Sequence, residues 1–227
     1  MAKIASIIES LKTFLNSPQT LKEYRLDDTY FTRISKLGFI NTVLLGLCQL
    51  KGSLEAELYN ILTINNLEEV SKSAYSQSRY KIKSDIYVKL NQILLAALYS
   101  KESLTVAPSQ FGGYAVHAVD GTKITLPNTA GLRAHFGSQK GGSKEVPSQT
   151  AMCLLMCCHD VLNDYILKST IENLAIGEQT VAKKWTQQYD SQAITIFDRG
   201  FASIFFVILC SSMLNLLLSE RKLVLIT

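Results

Sequence analysis

Two acids occupy matching places in this chain. The stretch "YAVHAVDGT" closes a β-rich run on Asp120 with Gly121 next, and "AITIFDRG" closes another on Asp198 with Gly200 two residues on. Both runs have the apolar character of buried strands, so each carboxylate falls at a strand's carboxyl end. In an open α/β sheet that edge is where ligands bind. Two carboxylates brought to one cleft repel unless a cation bridges them, and oxygen donors with little nitrogen or sulphur nearby suit Mg²⁺ or Mn²⁺. Two such ions about 3.5–4 Å apart activate a water or a 3′-hydroxyl and stabilise the leaving oxygen of a phosphodiester. The chemistry these residues could do is metal-dependent phosphoryl transfer on nucleic acid. The plainer use of the same residues has Asp120 opening a turn and Asp198 capping the helix that follows.

The elements that must position them divide into two grammars. Up to about Lys101 the apolar residues recur at three and four, as in Phe39, Ile40, Val43, Leu44, Leu47 and again in Ile86, Leu90, Ile93, Leu94. That spacing predicts a bundle of amphipathic helices over 1–105. Gly52-Ser53 provides a stop and an N-cap for "LEAELYNIL", and Asn66 with Glu69 forms a capping pair for a further short helix. Pro108, Gly112 and Gly113 in "SLTVAPSQFGG" end the periodicity and mark the boundary. Over 112–227 the order becomes strand, strand, strand, helix, strand, helix. "YAVHAVD" and "KITLP" read as a hairpin turning at Gly121-Thr122, and "TAMCLLMCCHD" as a longer buried strand. A helix with Val181, Ala182 and Trp185 on its inner face follows, then "AITIF" and a helix from Phe201. The expected fold class is α/β, a mixed sheet with "AITIF" parallel to its neighbour because a helix separates them.

Composition sets wide bounds. The 227 residues are 47% hydrophobic, ample for a core, and the net charge of +4 suits a polyanionic partner or simply a solvated surface. Five cysteines form no CxxC pair, which points to a reducing, cytoplasmic compartment. The N-terminal stretch has helical spacing without a signal-peptide cleavage site. Residues 201–218 are apolar, and a membrane-tethered protein is one alternative, but Ser203, Ser211, Ser212 and Asn215 interrupt the run.

In order along the chain, "AVDGTKITLPNT", "LRAHFGSQKGG", "VPSQTAMCLLMCCHDVLNDYIL" and "ITIFDRGFAS" resemble the catalytic core of DDE insertion-sequence transposases of the insertion-sequence 4 family. "GSLEAELYNIL" and "SKSAYSQSRYKIKSDIYVKLNQIL" resemble that family's helical N-terminal region, so the likeness spans roughly residues 40–210. It implies a ribonuclease H-like domain with Asp120 and Asp198, 78 residues apart, as the first and second metal-binding carboxylates. It also implies nicking at transposon ends and strand transfer into target DNA, with the nucleoid as its place of action. Thr122 and Arg199 would lie beside the carboxylates. Arg199 could pair a phosphate in bidentate fashion or simply neutralise Asp198. The family's third acid, a Glu in a Y-x2-R-x3-E-x6-K pattern, has no counterpart here. Glu220 is the one acid after Asp198, beside Arg221 and Lys222. The expectation is therefore an incomplete ribonuclease H-like domain from a truncated transposase copy, inactive alone. The alternative is a DNA-binding or oligomerising fragment without catalysis, able to associate with itself or with full-length transposase.

Other motifs divide between surface and core. "RYKIKSDIYVK" sets Arg79, Lys81 and Lys83 among Tyr75, Tyr80 and Tyr87, a mixture suited to a DNA backbone or to a solvated helix face. In "GSQKGGSKEVP" the Lys-Ser order of a P-loop is reversed and a strand follows, so a loop offering Lys140 and Lys144 to DNA phosphates fits better. Cys153 and Cys157 point opposite to Cys158 along a strand, which argues against zinc. The same parity sets His117 opposite Asp120, in a packed position.

Overall fold

The computed structural model describes residues 2–48, 52–99, 108–142, 147–185, 193–201 and 222–225. The chain divides into two compact units, 1–107 and 108–227.

The first unit is helical, with α1 (Ala2–Asn16), α2 (Pro18–Tyr24), α3 (Phe39–Leu47), α4 (Leu54–Ile64), α5 (Lys72–Arg79) and α6 (Asp85–Tyr99). Pro18 opens α2, where its missing N–H costs no helical bond. Ser53 Oγ accepts from the Ala56 amide and so caps α4. The cap of α5 is Ser71, whose Oγ accepts from the Ala74 amide, and not Asn66 as the sequence suggests. Asn66 instead terminates α4. At φ +52° it takes the left-handed conformation; its amide bonds the Thr63 carbonyl at 3.2 Å and the Leu67 amide bonds the Leu62 carbonyl at 2.9 Å. That pair of bonds is a Schellman ending, a role Asn fills because it tolerates positive φ. Leu15, Tyr24, Phe39, Val43, Ile86 and Leu90 form one core cluster, and Leu37, Leu45, Leu58, Leu62 and Tyr75 another. Between α3 and α5 the buried hydroxyls of Thr42 and Ser78 meet at 2.8 Å.

The second unit is mixed α/β. Its elements are β1 (Ala115–Thr125), α7 (Ala130–Phe136), β2 (Ser138–Gly142), β3 (Pro147–Asp160), β4 (Tyr165–Asn173), α8 (Glu178–Trp185), β5 (Ala193–Phe197), a 3₁₀ turn (Arg199–Phe201) and β6 (Lys222–Leu225). The strands run in the order β2-β3-β1-β5-β6, with β4 also paired to β3. β5 is parallel to β1 and β6 parallel to β5, while β3 is antiparallel to β1, β2 and β4.

No hairpin forms at Gly121-Thr122. β1 runs straight through those residues because His117 to Thr125 pair without interruption against Asp160 to Met152 of β3. The strand finds its partner further along the chain and has no need to fold on itself. Val119, Leu154, Met156, Cys158 and Phe197 from the sheet bury against Val181, Ala182 and Trp185 of α8 and against Phe201. The β3–β4 turn closes on Asp160, fully buried, whose Oδ1 accepts from the amides of Leu162 and Asn163 at 3.1 Å. The helix expected from Phe201 onward lies outside the described residues beyond Phe201 itself, which is buried and packs its ring 5.3 Å from that of Phe197.

Candidate active site where the β1 and β5 pairing ends

Parallel pairing of β1 and β5 fixes the site. The register runs from Ala115 opposite Ala193 to Val119 opposite Phe197, and the next residue on each strand is the acid. Val119 and Phe197 are each about 1% exposed and anchor the two strands in the core where their mutual pairing ends, whereas Asp120 and Asp198 are both exposed. Each carboxylate is steadied by its own backbone. Asp120 Oδ1 accepts from the Gly121 amide at 2.8 Å, and Asp198 Oδ1 accepts from the Gly200 amide at 2.9 Å. Asp198 thus caps a 3₁₀ turn through one oxygen, the plainer role foreseen for it, while remaining at the strand end.

A third acid joins them that sequence reasoning passed over. Glu178 opens α8, and its side chain lies over the backbone of Gly121. A β-carbon at residue 121 would sit 2.7 Å from Glu178 Cγ and 2.7 Å from Met156 Sδ, so only glycine leaves room for this approach. Burial first, and then the charges of Asp120 and Asp198, hold the Glu178 carboxyl above the usual carboxylate range, with Lys123 pulling the other way. The neighbouring residue reinforces the link: Gln179 Nε2 donates to the Gly200 carbonyl at 3.1 Å. Cys157, paired with Asp120 across β1 and β3, has its thiol pushed up by burial and by the Asp120 charge, so it offers no thiolate. Among the described residues, no three His, Cys, Asp or Glu side chains close to the spacing of a shared metal ion.

No family model and no curated protein matches this chain.

The other residues singled out from the sequence are dispersed. Thr122 is exposed on β1, opposite Leu155 of β3, and two residues from Asp120, so on the same face of the strand. Arg199 opens the 3₁₀ turn, and its side chain lies outside the described residues. Lys140 is exposed on β2 opposite Gln149, whereas Lys144 lies outside the described residues. In the helical unit the Arg79 guanidinium stands 5.9 Å from the Tyr75 ring centre and 5.7 Å from that of Tyr80. Lys81 Nζ stands 5.6 Å from the Tyr30 ring centre. Lys83 Nζ donates to the Glu23 carbonyl at 2.7 Å, tying α2 to the turn before α6. His117 and Trp185 are buried, as the spacing predicts. No helix among the described residues is long and apolar enough to cross a membrane.

Proposed function

We propose that residues 108–227 form a ribonuclease H-like phosphoryl-transfer domain of DDE-transposase type, acting on double-stranded DNA with Mg²⁺ or Mn²⁺. The observation that supports this most is the parallel β1/β5 register, which sets Asp120, midway along β1 where its pairing with β5 ends, beside Asp198 just past the carboxyl end of β5. The donor set fits a hard divalent cation: two exposed carboxylates, a third carboxyl raised by burial and then by their charge, and a neighbouring thiol kept protonated. Asp120 and Asp198 would hold the ion. When bound, it polarises a phosphoryl oxygen and lowers the pKa of a coordinated water. The Gly121 and Gly200 amides fix the two carboxylates, and the Gln179 to Gly200 bond holds the Asp198 turn against α8. Helical residues 1–107 would bind DNA, with Arg79 and Lys81 available to phosphates.

Spin-resonance titration of Mn²⁺ into the whole chain tests the ion. Asp120→Asn and Asp198→Asn should each weaken binding by roughly tenfold or more, since each removes one of two charged ligands. Metal-dependent nicking of DNA carrying the transposon ends should fall with them. Unchanged Mn²⁺ affinity in both variants would remove the reading.

A second reading is DNA binding without cleavage, for which the Arg79 guanidinium near the Tyr75 and Tyr80 rings and the Lys81 ammonium near Tyr30 are the supporting observation. DNA retention by filter binding with no metal-dependent nicking supports it.

A further inference from the structure

The helical unit holds a cleft that the phosphoryl-transfer reading leaves without a role. Its volume is about 490 Å³, within the range of small-molecule sites. It lies between the segment joining α2 to α3 and the face of α5, and its lining contains three cations, Arg33, Lys36 and Lys81, and no carboxylate. The nearby acids are engaged elsewhere. Glu68 pairs with Lys36 at 2.9 Å, Asp28 with Arg25 at 2.8 Å, and Asp27 accepts from the Thr29 hydroxyl and amide at 2.6 and 2.8 Å. Among the described residues Arg33 and Lys81 have no acidic partner, so the cleft carries uncompensated positive charge. Phe31, Leu37, Val70 and Ala74 give it an apolar part, and the rest of the lining carries the hydroxyls and amide of residues such as Thr32, Ser35 and Gln77.

The backbone points the same way. Phe31 holds φ at +58°, a conformation costly for a bulky side chain, and is kept there by edge-on packing of its ring on Phe39 at 5.5 Å. Strain of this kind is retained where the surrounding structure fixes a particular shape.

We infer that this cleft binds a single nucleotide, with the phosphate at Arg33 and Lys81 and the base on the wall of Phe31, Leu37, Val70 and Ala74. A guanidinium and an ammonium lining one cleft supply the charge and donors that a phosphate's oxygens take. An apolar wall beside them admits a flat heterocycle and would gain nothing from a bare inorganic anion. The nucleotide has two sources of the same chemistry, a free mononucleotide or one unpaired nucleotide of a DNA strand.

Fluorescence anisotropy of the whole chain with labelled adenosine monophosphate, in EDTA so that the carboxylate site plays no part, is the test. Unlabelled adenosine, inorganic phosphate and a short single-stranded oligonucleotide serve as competitors. The expected result is saturable binding that adenosine and phosphate displace poorly. Arg33→Gln and Lys81→Gln should each weaken it roughly tenfold, the loss expected for one charge-assisted bond. Ala74→Trp should fill the wall and block it, while Lys12→Gln on α1 should leave it unchanged. Arg33 and Ala74 are exposed, and circular dichroism confirms that their variants fold. Binding of the oligonucleotide with the same dependence on Arg33, but not of the monophosphate, assigns the DNA strand as the source. Absence of binding by either, or binding indifferent to Arg33→Gln and Ala74→Trp, overturns the inference. Loss of Mn²⁺ binding at Asp120 would leave it standing.

Discussion

Gln179 donates from its side-chain amide to the carbonyl of Gly200, across 3.1 Å, joining the first turn of α8 to the turn that follows β5. Its neighbour Glu178 faces Gly121, and Gly200 in turn donates to Asp198. Three segments distant in sequence are thereby held around one edge of the sheet, and the behaviour of Glu178 reports on all of them.

Substituting Gly121→Ala should displace Glu178. The new methyl would meet Glu178 Cγ and Met156 Sδ at 2.7 Å, and both are on flexible side chains, so the strand survives while the carboxyl moves. Overpacking of this degree costs about 1–3 kcal/mol. Urea denaturation reads that cost, and Mn²⁺ affinity should change in the same variant.

Stability should vary with pH through Glu178. Its folded pKa is raised above the ordinary 4.5, by burial and then by Asp120 and Asp198, so the protonated form is favoured on folding. Its stabilising contribution is therefore fully present below 4.5 and lost as pH rises through the folded value. Glu178→Gln should remove this loss, so that its Tm advantage over the natural chain grows from about pH 4 to about pH 7 in metal-free buffer. Thermal melts across that range check it, and a constant Tm difference would contradict it.

What the residues disclosed in advance, and what they hid, differ for a physical reason. A strand's end is a local feature: "AITIF" runs apolar up to Asp198, and its parallel pairing follows from the helix placed before it. The meaning of Glu178 is not local. An acid in the first turn of a helix is ordinary, since the helix dipole favours it there. Only contact with Gly121 of β1 gives it significance. The same contact explains the misread hairpin, because Gly121 looks like a turn residue when its use is to admit a side chain from above. Asn66 was ambiguous in a similar way, since Asn serves both ends of helices. The bond from Lys83 to the Glu23 carbonyl was equally illegible, because those residues are 60 apart in the chain and only the fold brings them together.

The thiols should react in a fixed order. Burial first, with Asp160 and Cys157 adding to it against the pull of Lys168, pushes Cys158 up to about 11. Cys153 is buried, whereas Cys48 is exposed. Iodoacetamide at about pH 8 should label Cys48 in the native chain and reach Cys158 only after denaturation, because the thiolate is the reactive form. Peptide mass spectrometry resolves the order.

In the helical unit, Thr42→Val should cost about 1–3 kcal/mol, because it leaves the buried Ser78 hydroxyl without its partner at equal volume. Adding Ser78→Ala should recover much of that loss. Urea midpoints of the two single variants and the double variant give the coupling.

The β1/β5 pairing also has a bearing on when the acidic edge comes into existence. Asp120 and Asp198 are 78 residues apart and adjoin only through that pairing, with β3, β4 and α8 made in between. Such non-local contacts pay their loop-closure entropy late in folding. A chain still leaving the ribosome with β5 unmade has Asp120 and Glu178 but not Asp198, on an unfinished sheet. Affinity for a divalent ion, if this edge has it, would thus arise as one of the last acts of assembly and would mark finished molecules from unfinished ones.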